Sequence, residues 1–120
     1  MELRFMDKEV LVLRIRVLLN HIDEVLRDIV DVTAVDLKDN SVLLRATCFS
    51  IGQVGEQMIN VEKELKDKYP DLPWKRARGM RNLIVHEYER IDSEMVFSTI
   101  KNDLVPLKTA FEKIKAELMN

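Results

Sequence analysis

The chain has 120 residues, enough for one domain that buries roughly two thirds of its unfolded surface and needs no metal or disulfide staple. Its 19 basic and 21 acidic side chains leave a formal charge of -2, which argues against a protein that coats nucleic acid through bulk positive charge. A single cysteine, Cys48, excludes an intramolecular disulfide framework and fits a reducing, cytoplasmic setting. The first residues, from Met1 to Glu9, mix charges of both signs where a signal peptide needs an apolar core. No later apolar run approaches the ~20 residues that span a bilayer. The expectation is a soluble, cytoplasmic protein with no membrane partner, one domain over residues 1–120.

Leu11, Ile15, Leu18, Ile22, Val25 and Ile29 step by four and three, predicting a long first helix from about residue 6 to 32. Val12, Leu19, Leu26 and Val30 add a second stripe, a face wider than one neighbouring helix needs. Asp36-Leu37-Lys38-Asp39-Asn40 reads as a turn, with Asp39 or Asn40 capping a second helix from about 41 to 68. Gly52 and Gly55 lie inside that helix at about 1 kcal/mol each relative to Ala, a cost expected to be returned by close approach of another backbone. Tyr69-Pro70-Asp71-Leu72-Pro73 leads into a third helix, from about 73 to 89, with Pro73 in its first turn.

The last segment runs in phase through Phe97, Ile100, Leu104, Leu107, Phe111, Ile114 and Leu118, with Asp92 as its cap. Pro106 lacks the donor that the carbonyl four residues earlier requires, so a kink or short break is expected near 102–105. Nothing alternates like a strand. The fold expectation is an all-α, up-down bundle of four or five helices, with the last helix kinked at Pro106.

The third helix carries the chemistry. Arg81, Asn82, His86 and Tyr88 fall within about two helical turns, on a polar side made of cationic, amide, imidazole and phenol groups. At 100° per residue, Arg81 and Tyr88 are nearly in line and Asn82 stacks on His86, while Ala77, Met80, Leu83 and Ile84 face the core. Lys75, Arg76, Arg78 and Arg81 crowd before His86, suited either to gripping a few phosphates or to forming an ordinary solvated face. Arginine presents a permanently charged planar fork to phosphate oxygens. Histidine, as a residue type titrating near ~6.5, takes a proton from one oxygen and returns it to another at neutral pH. RNA supplies its own nucleophile in the 2′-OH, so in-line attack on the adjacent phosphate needs one base and one cation, with a 2′,3′-cyclic phosphate and a 5′-OH as products. Arg81 and His86 project roughly 140° apart on one helix, so two facing copies would focus them better than one.

Other residues have blander readings. His86 alone would be taken for a buried structural histidine, but Asn82, Arg78 and Arg81 beside it favour function. His21 has no companions and reads as surface, Trp74 as packing at the start of the third helix, and Cys48 as core. There is no Gly-rich phosphate loop and no zinc spacing; no cofactor or metal is expected.

Gly79-Met80-Arg81-Asn82, followed by His86-Glu87-Tyr88 and Ile91-Asp92, resembles the signature of the HEPN superfamily in the form carried by HepT-like toxins. Ser50-Ile51-Gly52-Gln53-Val54-Gly55-Glu56 is more loosely similar, and Phe97 stands where many relatives carry tryptophan. The resemblance implies a ribonuclease toxin of a type VII toxin–antitoxin pair, dimeric, with motif helices adjacent across a two-fold axis and an arginine and histidine from each subunit in one cleft. It further implies a minimal nucleotidyltransferase antitoxin, MntA-like, that transfers AMP to the tyrosine. Carried onto this chain, Arg81, His86 and Asn82 are the catalytic candidates, Lys75 and Arg78 the RNA-phosphate candidates, and Tyr88 the AMPylation site. The alternative is a non-catalytic HEPN subunit that dimerises and presents RNA or nucleotide to the partner nucleotidyltransferase.

Overall fold

A computed structural model describes residues 6–120; the part of the signal-peptide reading that rests on residues 1–5 lies outside them. All regular structure among the described residues is helical: α1 (Lys8–Asp28), α2 (Ala34–Asp39), α3 (Ser41–Leu65), α4 (Trp74–His86), a 3₁₀ turn (Tyr88–Arg90), α5 (Ser93–Thr99), a π segment (Ile100–Leu104) and α6 (Val105–Leu118). Because α5, the π segment and α6 run on without interruption, the bundle has five helical units.

The predicted stripe of α1 is the buried one, with Leu11, Ile15, Leu18, Ile22 and Val25 all in the core. The helix stops at Asp28, short of the expected 32, and Asp31 then takes a left-handed φ of 61°, a conformation aspartate tolerates better than most residues. Of the second stripe, Leu19 is buried, while Val30 lies past the helix end and is 65% exposed.

Residues 36–39 belong to a short helix, α2, where a turn was expected. Thr33 accepts from the Asp36 amide and Asp36 accepts from the Thr33 amide, a capping box. Leu37, fully buried, pins that helix to the core.

Asn40 caps α3 by accepting from the Leu43 amide at 3.0 Å. The helix lies between α1 and α4 and is the backbone of the bundle. A Cβ on Gly55 would sit 2.9 Å from both the Ala77 carbonyl oxygen and the Arg81 Cβ, and one on Gly52 would sit 3.3 Å from Ile84. The two glycines therefore let α4 approach closely, in antiparallel register, as the sequence led one to expect.

Trp74 fixes the start of α4: it is buried, its indole N–H donates to the Tyr69 carbonyl at 2.9 Å, and its ring meets Phe111 edge-on at 6.5 Å. Asp92 caps α5 by accepting from the Met95 amide at 2.8 Å. The break ahead of Pro106 takes the form of a π segment, in which the Val105 N–H reaches back five residues to the Ile100 carbonyl. Widening the turn accommodates both the missing proline donor and the bulk of its ring, while Ile100, Leu104, Leu107, Phe111 and Ile114 stay buried in one line.

Candidate active site

Ala77, Met80 and Ile84 turn α4 onto the core, as its periodicity predicts, whereas Leu83 is half-buried without joining the core cluster. The opposite side is open. A Cβ on Gly79 would meet no atom of the described residues within 4 Å, and Asn82, Val85 and His86 are all exposed. His86 is the last residue of α4, and neither it nor Asn82 has a hydrogen-bond partner among the described residues. The amide and imidazole expected to stack are thus presented on one face, one turn apart, without being bonded to each other.

Arg81 is held differently. Its Cβ lies against the bare backbone of Gly55, and its Nε stands 3.2 Å from Glu56 Oε1. That contact brings opposite charges together at an angle that makes no hydrogen bond, and Nε is left buried without one. A buried donor in that state is under-satisfied and calls for an explanation.

The crowd of cations is largely compensated from other elements. Arg76 forks onto Asp103, with Nη2 at 2.7 Å from Oδ1, and Arg78 binds Glu62. The Arg78 hydrogen bond is the main reason the Glu62 carboxyl is held below its usual range. Of Lys75, Arg76, Arg78 and Arg81, only Lys75 has no carboxylate partner among the described residues.

Tyr88 corrects the helical reading. It does not continue α4 in line with Arg81: the helix ends at His86, Glu87 turns out at φ -144°, and Tyr88 opens the 3₁₀ turn. The ion pair from Arg90 to Glu87 at 3.0 Å, three residues apart, and the Arg90 amide bond to the Glu87 carbonyl hold that tighter turn. The phenol is 36% exposed. Partial burial raises its pKa, with Cys48 raising it further and Arg45 opposing.

His21 also departs from expectation. It is half-buried, with Nδ1 2.9 Å from Glu24 Oε1 and its ring edge-on to Phe49 at 6.1 Å. Cys48 is core as read, and burial pushes its thiol up to about 11. Among the described residues no group of three or more His, Cys, Asp or Glu is placed to hold a metal ion. A small, mostly apolar hollow lies on the core side of α4, between Met80, Met58 and Leu107, and His86 does not line it. Arg45 and Glu56 were not singled out from sequence, because both sit on α3 and only the packing of α4 brings them to the motif.

Helical bundle and exposed motif together define a small all-α protein of HEPN type. A family profile described as "Ribonuclease HepT-like" matches residues 18–114. The chain is 28% identical over 101 residues to a Methanocaldococcus jannaschii protein named "Putative RNase", covering 84% of this chain and 87% of that one. It is 32% identical over 79 residues to a protein of the same name from Caldanaerobacter subterraneus subsp. tengcongensis, covering 66% and 70%. A third relative, "Probable ribonuclease HepT" of Thermococcus cleftensis, is 32% identical over 62 residues, covering 52% and 56%. No solved structure matches significantly. The chain belongs to the HepT-like ribonuclease family, and its enzymatic class is that of a ribonuclease.

Proposed function

We propose that the protein is a metal-independent endoribonuclease, the toxin of a type VII HEPN/MNT pair. His86 takes the proton of an RNA 2′-OH; the 2′ oxygen attacks the adjacent phosphorus in line, the P–O5′ bond breaks, and the 5′ oxygen leaves with the proton that the imidazole returns. Arg81 stabilises the charge that builds on the phosphorane oxygens, Asn82 orients the imidazole or a phosphate oxygen, and Lys75 and Arg78 hold the flanking backbone. The observation that carries this reading is the state of His86. A structural histidine is buried and hydrogen-bonded, and His86 is exposed at a helix end with no partner among the described residues.

The working site is composite, with the α4 helices of two copies side by side. Gly79 supports that arrangement, since an exposed helical glycine costs about 1 kcal/mol and none of the described residues comes within 4 Å of where its Cβ would be. A minimal nucleotidyltransferase of MntA type silences the enzyme by AMPylation of Tyr88. The phenol oxygen attacks the α-phosphorus of ATP, pyrophosphate leaves, and the proton passes to a base on the transferase.

One observation favours the alternative, a non-catalytic subunit presenting RNA or nucleotide to that transferase: Arg81 already faces Glu56. Cleavage of RNA by purified protein separates the two. His86→Ala and Arg81→Ala are each expected to lower the cleavage rate by at least about 100-fold, the usual scale for one acid–base or charge-stabilising group, with helicity unchanged. Undiminished cleavage by both variants contradicts the assignment.

A further inference from the structure

The end of α4 is a poor place to bring a phosphate. His86 is its last residue, where the terminal carbonyls of a helix present partial negative charge. The cation nearest in sequence, Arg90, is already paired with Glu87 at 3.0 Å, and Arg76, Arg78 and Arg81 face Asp103, Glu62 and Glu56. Lys75, the α4 cation without a carboxylate partner among the described residues, lies about three turns before His86, so a free cation beside His86 must come from another element.

α3 supplies it. Gly55 meets Ala77 and Arg81 while Gly52 meets Ile84, so the helices run antiparallel and the N-terminal turns of α3, with Cys48 and Arg45, lie toward the His86 end of α4. Beyond the effect of burial, Cys48 raises the pKa of the Tyr88 hydroxyl and Arg45 lowers it through their charges, in keeping with that placement. Arg45 is exposed, has no ion-pair partner among the described residues, and lies in the second turn of α3, toward the positive end of its dipole.

We infer that Arg45 is an RNA-binding residue of this enzyme, holding the backbone phosphate next to the one His86 acts upon, at the Tyr88 edge of the site. The inference rests on the ribonuclease reading above. It also accounts for the effect of a nucleotide on Tyr88, whose phosphate would claim the same guanidinium.

Binding of a short unstructured RNA oligonucleotide is measured across a salt series, with His86→Ala as the non-cleaving background. Adding Arg45→Gln is expected to weaken binding whatever the RNA sequence, and to make the plot of log affinity against log salt shallower by about 0.7 for each phosphate that is no longer neutralised. Adding Arg45→Lys keeps the slope, because the charge remains. An unchanged slope in Arg45→Gln, or an equal loss in Arg45→Lys, overturns the proposal and leaves the ribonuclease reading intact. No RNA binding by the His86→Ala background itself overturns both.

Discussion

Arg81 enters the seam between α3 and α4 over a glycine, with its Nε buried and without a hydrogen bond. His86 and Asn82 stand free on the opposite side of the same helix. The residue types of this site were legible in the sequence, since an arginine, an amide, an imidazole and a phenol so closely spaced point to phosphate chemistry. Their partners were not: Glu56, Glu62 and Asp103 come from α3 and the π segment, and no reading of α4 alone reveals that its cations are compensated. The position of Tyr88 was hidden for a similar reason, because the helical period runs on past His86 while the backbone leaves it at Glu87. Tyr88 remains partly exposed, so Tyr88→Phe is expected to fold and to retain most of its RNase activity. It should also escape silencing: after co-expression with the partner nucleotidyltransferase, mass spectrometry finds AMP units on the wild type and none on Tyr88→Phe. An adduct elsewhere, or none on the wild type, contradicts the AMPylation reading.

At the scale of elements, the glycines of α3 and α4 have opposite reasons to exist. Gly55→Ala places a methyl group 2.9 Å from a backbone carbonyl, an overpacking of about 1–3 kcal/mol against a helix-propensity gain of about 1 kcal/mol. Its denaturation midpoint is expected to fall. Gly79→Leu meets open space in the protomer, so helicity should hold, while a second α4 pressed against that face would be displaced. The expected outcome is retained circular dichroism with loss of dimer and of cleavage. Cleavage at the wild-type rate would remove Gly79 from the composite site. The long stripes and Pro106 announced their elements because burial and a missing donor act locally. The helix over 34–39 was missed because its Thr33/Asp36 capping box lies in a stretch dense with turn-forming residues.

For the whole molecule, the five helical units surround one core and leave apolar side chains outside it. Phe49 on α3, whose ring meets His21 of α1 edge-on, and Val85 on α4, next to His86 in sequence, are 61% and 60% exposed. Burying the exposed side of α4, with Gly79 and Val85, against a second copy is what the composite site requires. The protein is therefore expected to sediment as a dimer at micromolar concentration, and a mass near 14.1 kDa there would contradict the arrangement. The central claim is RNA transesterification by side chains of this chain without a metal ion. Mapping the product ends after incubating the purified protein with RNA in excess EDTA tests it most directly. Transesterification by His86 and Arg81 gives 2′,3′-cyclic phosphate and 5′-OH termini; cleavage that needs a divalent metal, or that leaves a 5′-phosphate, would contradict it.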